Sequence, residues 1–274
     1  EKRLFVSFVL IALCFASCKD DQILGPESDG YQWPSAPPLI KGVWHEWQFY
    51  TFFDSTSEIG VAFGVGVTDL EHPDKAVTVW NAMAYSPVER KVKNFYGKKY
   101  SASQWHASVE NGTLKTPDVS VDVISETEYR LHVVSNVEDF EMSLDYQRCV
   151  YPMRQTENFA PVAVLDWQSY MPCAIVNGKL HVNGKTYDIS GARGYHDKNW
   201  GSWPTSKFNW IWSQYNDPKN EFAVTWGAYE VPHMKIDVGY LFLRFNGTRI
   251  KLGTLCFDPF KMEVLEKKTE PETG

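Results

Sequence analysis

Alternation of apolar and polar residues with a period of two narrows what this chain can fold into more than any other feature. Phe140-Glu141-Met142-Ser143-Leu144-Asp145-Tyr146 alternates without a break, as do Val119 to Val123 and Tyr129 to Val133. That period is the spacing of a strand with one face buried. Asn-Gly pairs begin at Asn111, Asn177, Asn183 and Asn246, between such runs, and Asn-Gly supplies the positive φ angles that tight hairpins need. The clearest hairpin is Leu180-His181-Val182, then Asn183-Gly184, then Lys185 to Ile189. No long stretch holds a helical period. The expectation is an all-β, mostly antiparallel protein whose sheets close or stack to hide their apolar faces.

In the run Ile59 to Val67, Gly60, Gly64 and Gly66 fall on one face. They leave room for a close neighbour or a bound molecule, or they mark sharp coiling of a barrel. A barrel of about eight strands holds one small ligand. The aromatic content bears on that: 11 Trp, 14 Tyr and 16 Phe make up 15% of the 274 residues, enough for some rings to line a site. The net charge of −7 and the lack of a basic stripe argue against a nucleic-acid partner. Cys14, Cys18, Cys149, Cys173 and Cys256 show no C-x-x-C spacing, so neither a structural zinc nor a thioredoxin-type pair is expected. No cofactor motif is present, and no metal is expected. His45-Glu46 lacks a second histidine and reads as sheet surface, and His72, His106, His132, His181 and His233 are scattered.

The N-terminus reads as an export signal: Lys2 and Arg3 precede an apolar-to-small run from Leu4 to Ala16, too short to span a bilayer as a helix. Ala16-Ser17-Cys18 resembles a bacterial lipobox and would leave a lipidated Cys18; a plain cleaved signal with Cys18 incidental accounts for the same residues. The expected organisation is a signal peptide over 1–17, a flexible tether over 18–39, a β domain over 40–190, a link over 191–206, a second β domain over 207–266 and a polar tail over 267–274. Such a protein would sit in the bacterial cell envelope as a monomer on a lipid anchor. The Asn111-Gly112-Thr113 and Asn246-Gly247-Thr248 acceptors would then be idle.

Residues 191–204, Gly-Ala-Arg-Gly-Tyr-His-Asp-Lys-Asn-Trp-Gly-Ser-Trp-Pro, are dense in glycine, rings and titratable groups. If extended, they put Tyr195, Asp197 and Asn199 on one side, and His196, Lys198 and Trp200 on the other. Near Trp200, Trp203, Trp210 and Trp212, an aspartate loses water and its pKa rises, so Asp197 becomes a candidate acid. An interdomain corner, with glycines for turns and tryptophans for packing, accounts for the same residues.

Gly194-Tyr195-His196-Asp197-Lys198-Asn199-Trp200-Gly201 resembles the G-Y-H-D-x-N-W-G signature of the carotenoid 1,2-hydratase (hydroxyneurosporene synthase) and AttH-like superfamily, which includes kievitone hydratase and lipocalin-type Diels–Alderases. Glu46-Trp47-Gln48-Phe49-Tyr50 resembles an early strand of that family, with Gln48 in place of an aromatic residue. The resemblance implies two lipocalin-like β-barrel or sandwich domains around an apolar cavity. It also implies catalytic roles for Tyr195, Asp197 and an upstream tryptophan, matched here to Trp167. Trp47, His196, Asn199, Trp200, Trp203, Trp210 and Trp212 are the candidate substrate contacts.

The expected chemistry is protonation of an isolated C=C bond of an isoprenoid or polyene-like molecule by Asp197. Aromatic faces stabilise the cation, and water or an internal nucleophile captures it, which makes the protein a hydratase or a cyclase. The alternative is a non-catalytic carrier of a lipophilic ligand. After Gly201 the pattern supports about four strands (209–215, 221–229, 238–245 and 249–257), so the second domain reads as truncated.

Overall fold

The computed structural model describes residues 24–32, 44–68, 76–87, 90–159, 163–202, 210–231, 236–245 and 248–253. Cys18, the signal-like run, the tail over 267–274 and Trp203 lie outside them. Among the described residues the regular elements are strands and short 3-10 turns, and no helix is long and apolar enough to cross a membrane. The strands are β1 (Trp44–Asp54), β2 (Ile59–Thr68), β3 (Val77–Ser86), β4 (Lys91–Tyr96), β5 (Tyr100–Ser101), β6 (His106–Ala107), β7 (Leu114–Lys115), β8 (Val119–Ser125), β9 (Glu128–Val134), β10 (Phe140–Arg148), β11 (Met153–Phe159), β12 (Ala163–Val182), β13 (Lys185–Ser202), β14 (Trp210–Asp217), β15 (Phe222–Val231), β16 (Ile236–Phe245) and β17 (Thr248–Gly253).

Strands β1 to β13 form one antiparallel sheet in the order β4-β3-β2-β1-β13-β12-β10-β9-β8-β7-β6, with β11 on β12 and β5 on β3. The sheet curls on itself. Trp80 of β3 stacks on Phe140 of β10 at 6.1 Å, and Phe95 of β4 meets the same ring at 4.8 Å. The period-two pattern is the cause. In β2 every odd residue from Ile59 to Val67 is buried and every even one is only partly covered, so curling puts one face in a shared core. Burying each large apolar side chain there contributes about 1.5–3 kcal/mol. The glycines of β2 lie on the outer face, and their role is close approach: a Cβ on Gly66 would sit 3.1 Å from the Trp47 Cβ, and one on Gly60 3.3 Å from the Phe53 ring.

The turn at Asn183-Gly184 joins β12 to β13 with both residues at positive φ, as expected for this hairpin. Asn177-Gly178 does not turn. It continues β12 through a register shift, with Gly178 at φ +140° because any Cβ there would strike the Ser143 carbonyl. The pair at Asn246 lies outside the described residues.

The expected link over 191–206 needs revision: residues 185–202 are one strand, β13, near the middle of the large sheet, and the boundary at 190 falls within it. The tether also needs revision in part. Residues 26–29 form a 3-10 turn, and Asp29 and Tyr31 are buried. The four late strands are present. They form a second antiparallel sheet, β14-β15-β16-β17, which lies over the outer face of β1, β12 and β13. Trp212 and Phe242 pack rings against that face, and Asn216 Nδ2 donates to the Gly194 carbonyl at 2.6 Å.

Candidate functional site

Between the two sheets β13 presents Tyr195 and Asp197 outward, and β12 brings Trp167 alongside because Trp167 stands opposite Asn199 in the ladder. Asp197 Oδ2 accepts two hydrogen bonds, one from the Tyr195 hydroxyl at 2.8 Å and one from Trp167 Nε1 at 3.0 Å. Its Oδ1 receives only a long contact from Asn199 Nδ2, at 3.3 Å. The second sheet closes over these groups. Trp212 meets Tyr195 at 5.3 Å, and Tyr240 and Phe242 cover Trp167 at 5.0 and 5.5 Å. Phe49 of β1, opposite Asp197 in the ladder, packs edge-on against Trp212 at 5.7 Å.

Asp197 is 3% exposed and Tyr195 0%, so water stabilises neither charge. Burial pushes the Asp197 carboxyl up to about 6, against the hydrogen bonds from Trp167 and Tyr195, which favour its ionised form. Burial next to Asp197 also holds the Tyr195 phenol well above its usual range. The result is a carboxyl group with two neutral donors on Oδ2 and only the Asn199 amide on Oδ1. A remaining donor is nearby: the Trp212 indole N–H is buried without a partner among the described residues.

The opposite face of β13 is different. His196 stacks on Tyr50 at 4.1 Å with its ring parallel, and its Nε2 lies 3.0 Å from Asp29 Oδ2. Lys198 is fully buried, 2.8 Å from Glu46 Oε1, and it also donates to the carbonyls of Asp29 and Gly30. Burial pushes Glu46 up to about 7 even with the opposing pull of Lys198. Glu46 is therefore not sheet surface but a buried ion-pair partner. Trp200 packs in this inner core, with Lys198 Nζ 4.8 Å and the Arg154 guanidinium 5.0 Å from its ring.

The structure thus gathers Trp167, Tyr195, Asp197, Asn199 and Trp212 into one place. It sends His196 and Trp200 to the other face, because adjacent strand residues must diverge; as contacts to a ligand beside Asp197 they are withdrawn. Trp47 is partly buried on the outer face, opposite Asn199. Trp210 lies in β14, but its side chain, like the whole of Trp203, is outside what is described. Tyr240 and Phe242 escaped the sequence reading because their strand carries no motif, and Phe49 was quoted within the β1 motif without being singled out as a site residue. The Asp29 and Glu46 partners escaped it because they come from distant segments. Among the described residues no group of three His, Cys, Asp or Glu side chains is placed to hold a metal.

A protein-family model described as tocopherol cyclase-like matches residues 74–254, about two thirds of the chain. The chain belongs to the tocopherol cyclase-like family. Among solved structures, this family member is similar to AttH from Nitrosomonas europaea, at 13% identity and a TM-score of 0.56, over 81% of this chain and 74% of that one. Kievitone hydratase from Nectria haematococca matches at 15% identity and a TM-score of 0.51, over 86% and 72% of the two chains. CghA matches at 15% identity and a TM-score of 0.53, over 84% and 68%. At such identities the likeness is one of fold. No curated protein matches the chain.

Proposed function

We propose that the protein is a hydratase- or cyclase-type enzyme acting on a C=C bond of an apolar isoprenoid or polyene-like molecule, with Asp197 as the acid. One observation carries this reading. Asp197 is a buried carboxyl whose pKa is raised to about 6 and whose hydrogen-bond partners are all uncharged donors. A carboxylic acid kept partly protonated near neutral pH can protonate an alkene, and positioned proton transfer contributes roughly 10²–10⁴-fold.

The proton passes from Asp197 Oδ1 to the less substituted alkene carbon, and the cation develops on the more substituted one. The faces of Trp167, Trp212 and Phe49 stabilise that cation by about 0.5–2 kcal/mol each. The Tyr195 hydroxyl and the Trp167 N–H, already bonded to Oδ2, stabilise the carboxylate left behind. Water, or a hydroxyl within the substrate, adds to the cation and returns a proton to Asp197. The free Trp212 N–H is a donor for that incoming oxygen. The family membership and the fold likeness to kievitone hydratase support the reaction class.

The test is turnover of a panel of polyenes and prenylated phenols in deuterated water. Deuterium should appear at the protonated carbon of the product, and Asp197→Asn should abolish it. A ligand that binds and is extracted unchanged, with affinity insensitive to Asp197→Asn but lost in Trp167→Ala, would replace this reading with that of a carrier. Export and anchoring at Cys18 belong to the same proposal. Intact-mass analysis of the mature protein checks them, a diacylated N-terminal Cys18 being the expected result.

A further inference from the structure

Strands β10 and β11 both pair with β12 on the edge away from β13, β10 along Ala174–Val182 and β11 along Ala163–Ser169. They behave as one long strand interrupted at residues 149–152. Facing the interruption, β12 slips in register against β13 between Gln168 and Met171 and again between Met171 and Ala174. On one side of this break lies the curled core that β10 shares with β9; on the other lies the arm that carries Trp167 under the second sheet. Arg244 of that sheet donates to the Pro152 carbonyl within the break at 3.0 Å.

Two cysteines face each other at this point. Arg148 stands opposite Ala174, so the next pair out is Cys149 and Cys173, and the Cys149 N–H donates to the Cys173 carbonyl at 2.8 Å. Directly opposed residues of an antiparallel ladder project to the same side, with Cα atoms about 5.5 Å apart where the pair is hydrogen-bonded. Disulfides most often span about 5.5–6 Å between Cα atoms. Both side chains are free thiols, Cys149 partly open to solvent and Cys173 buried. We propose that Cys149 and Cys173 form a cross-strand disulfide that pins the break between the curled core and the Trp167 arm.

The chemistry needs an external thiol–disulfide oxidant, RSSR. The Cys149 thiolate attacks one of its sulfurs, forming a mixed disulfide and releasing RS⁻. The Cys173 thiolate then displaces the second RS⁻ from Cys149. Two cysteine thiols are oxidised, one disulfide is reduced to two thiols, and the two protons lost from the cysteines end on the released thiolates. Cys149 is suited to the first attack: a hydrogen bond from the Cys173 thiol holds it below the ordinary thiol value, and the same bond holds Cys173 above it. An exported location would supply such an oxidant, but the bond itself does not depend on the proposed reaction.

The full-length protein incubated with glutathione disulfide tests this directly. Intact mass should fall by two hydrogens, and peptide mapping should find a single Cys149–Cys173 link. The link closes a loop of about 25 residues, so the melting temperature should rise by about 6–12 °C over protein treated with dithiothreitol. Cys149→Ser and Cys173→Ser should each melt alike under both conditions. Cys149 and Cys173 both still alkylatable at equilibrium would overturn the proposal, as would a glutathione adduct on Cys149 that never resolves, a link from either to another cysteine, or a link without a melting shift.

Discussion

The two faces of β13 carry titratable groups within a few ångströms of one another, yet they solve burial in opposite ways. Inward, Lys198 meets the Glu46 carboxyl and the His196 ring lies against Asp29, so each titratable group has a polar partner. Outward, Asp197 is surrounded by a phenol, an indole and an amide, with no cation on its oxygens. Burying an unpaired charge costs more than burying a neutral acid. The inner face therefore holds Lys198 against Glu46, whereas the outer face leaves Asp197 without an ionic partner. Substitutions along residues 195–198 should accordingly alternate in effect, with turnover lost at odd positions and stability at even ones.

The sharpest way to break that contrast is Asp197→Asn. Turnover of a responsive substrate should fall by about 10²–10⁴ while the melting temperature stays close to that of the parent, read by steady-state kinetics beside thermal unfolding. On the inner face, Lys198→Met leaves Glu46 buried without its partner and should cost about 3–5 kcal/mol at pH 8, measured by urea denaturation. The pH dependence has a defined sign. Glu46 binds its proton more tightly folded than unfolded, with a folded pKa of about 7, so its contribution is fully present below its unfolded value and is lost as pH rises through about 7. The loss in Lys198→Met should therefore shrink at pH 5, where Glu46 is neutral; an equal loss at both pH values would show that the ion pair is not the cause.

A finer probe is the acid limb. In the parent protein kcat/KM should fall about tenfold per pH unit above about 6, as Asp197 gives up its proton. Trp167→Phe removes one of the bonds that favour the ionised form, so its limb should move to higher pH. A limb that stays in place would remove the indole from the tuning of Asp197. The smallest effect is expected at Gly66→Ala, where the new Cβ crowds the Trp47 Cβ at 3.1 Å. The cost should be about 1 kcal/mol in unfolding free energy.

What was legible beforehand follows from the range of the interactions involved. The strands of the alternating runs, the Asn183-Gly184 hairpin and the division of Tyr195 and Asp197 from His196 and Lys198 are set by local period and turn chemistry, and these read directly from the order of residues. Trp167 was matched only through resemblance, since nothing local says that β12 will lie beside β13 with Trp167 opposite Asn199. Asp29 was invisible for a stronger reason. Its partner His196 lies 167 positions away, and a short polar segment without periodicity looks like a tether until the buried His196 and Lys198 that hold it are in view. Asn177-Gly178 misled because the same dipeptide that turns a chain also relieves a clash inside a bulged strand.

The docking of residues 26–32 has a practical consequence for anyone trimming this protein. Asp29 and the carbonyls of Asp29 and Gly30 complete the surroundings of His196 and Lys198, and the Gln32 amide does the same for Glu46. A version cut to begin at Trp44 would strand a lysine, a histidine and a glutamate inside the curled sheet, and would come out of expression inactive for want of folding. Such a result would be easy to misread as evidence against the chemistry on the far side of the same strand.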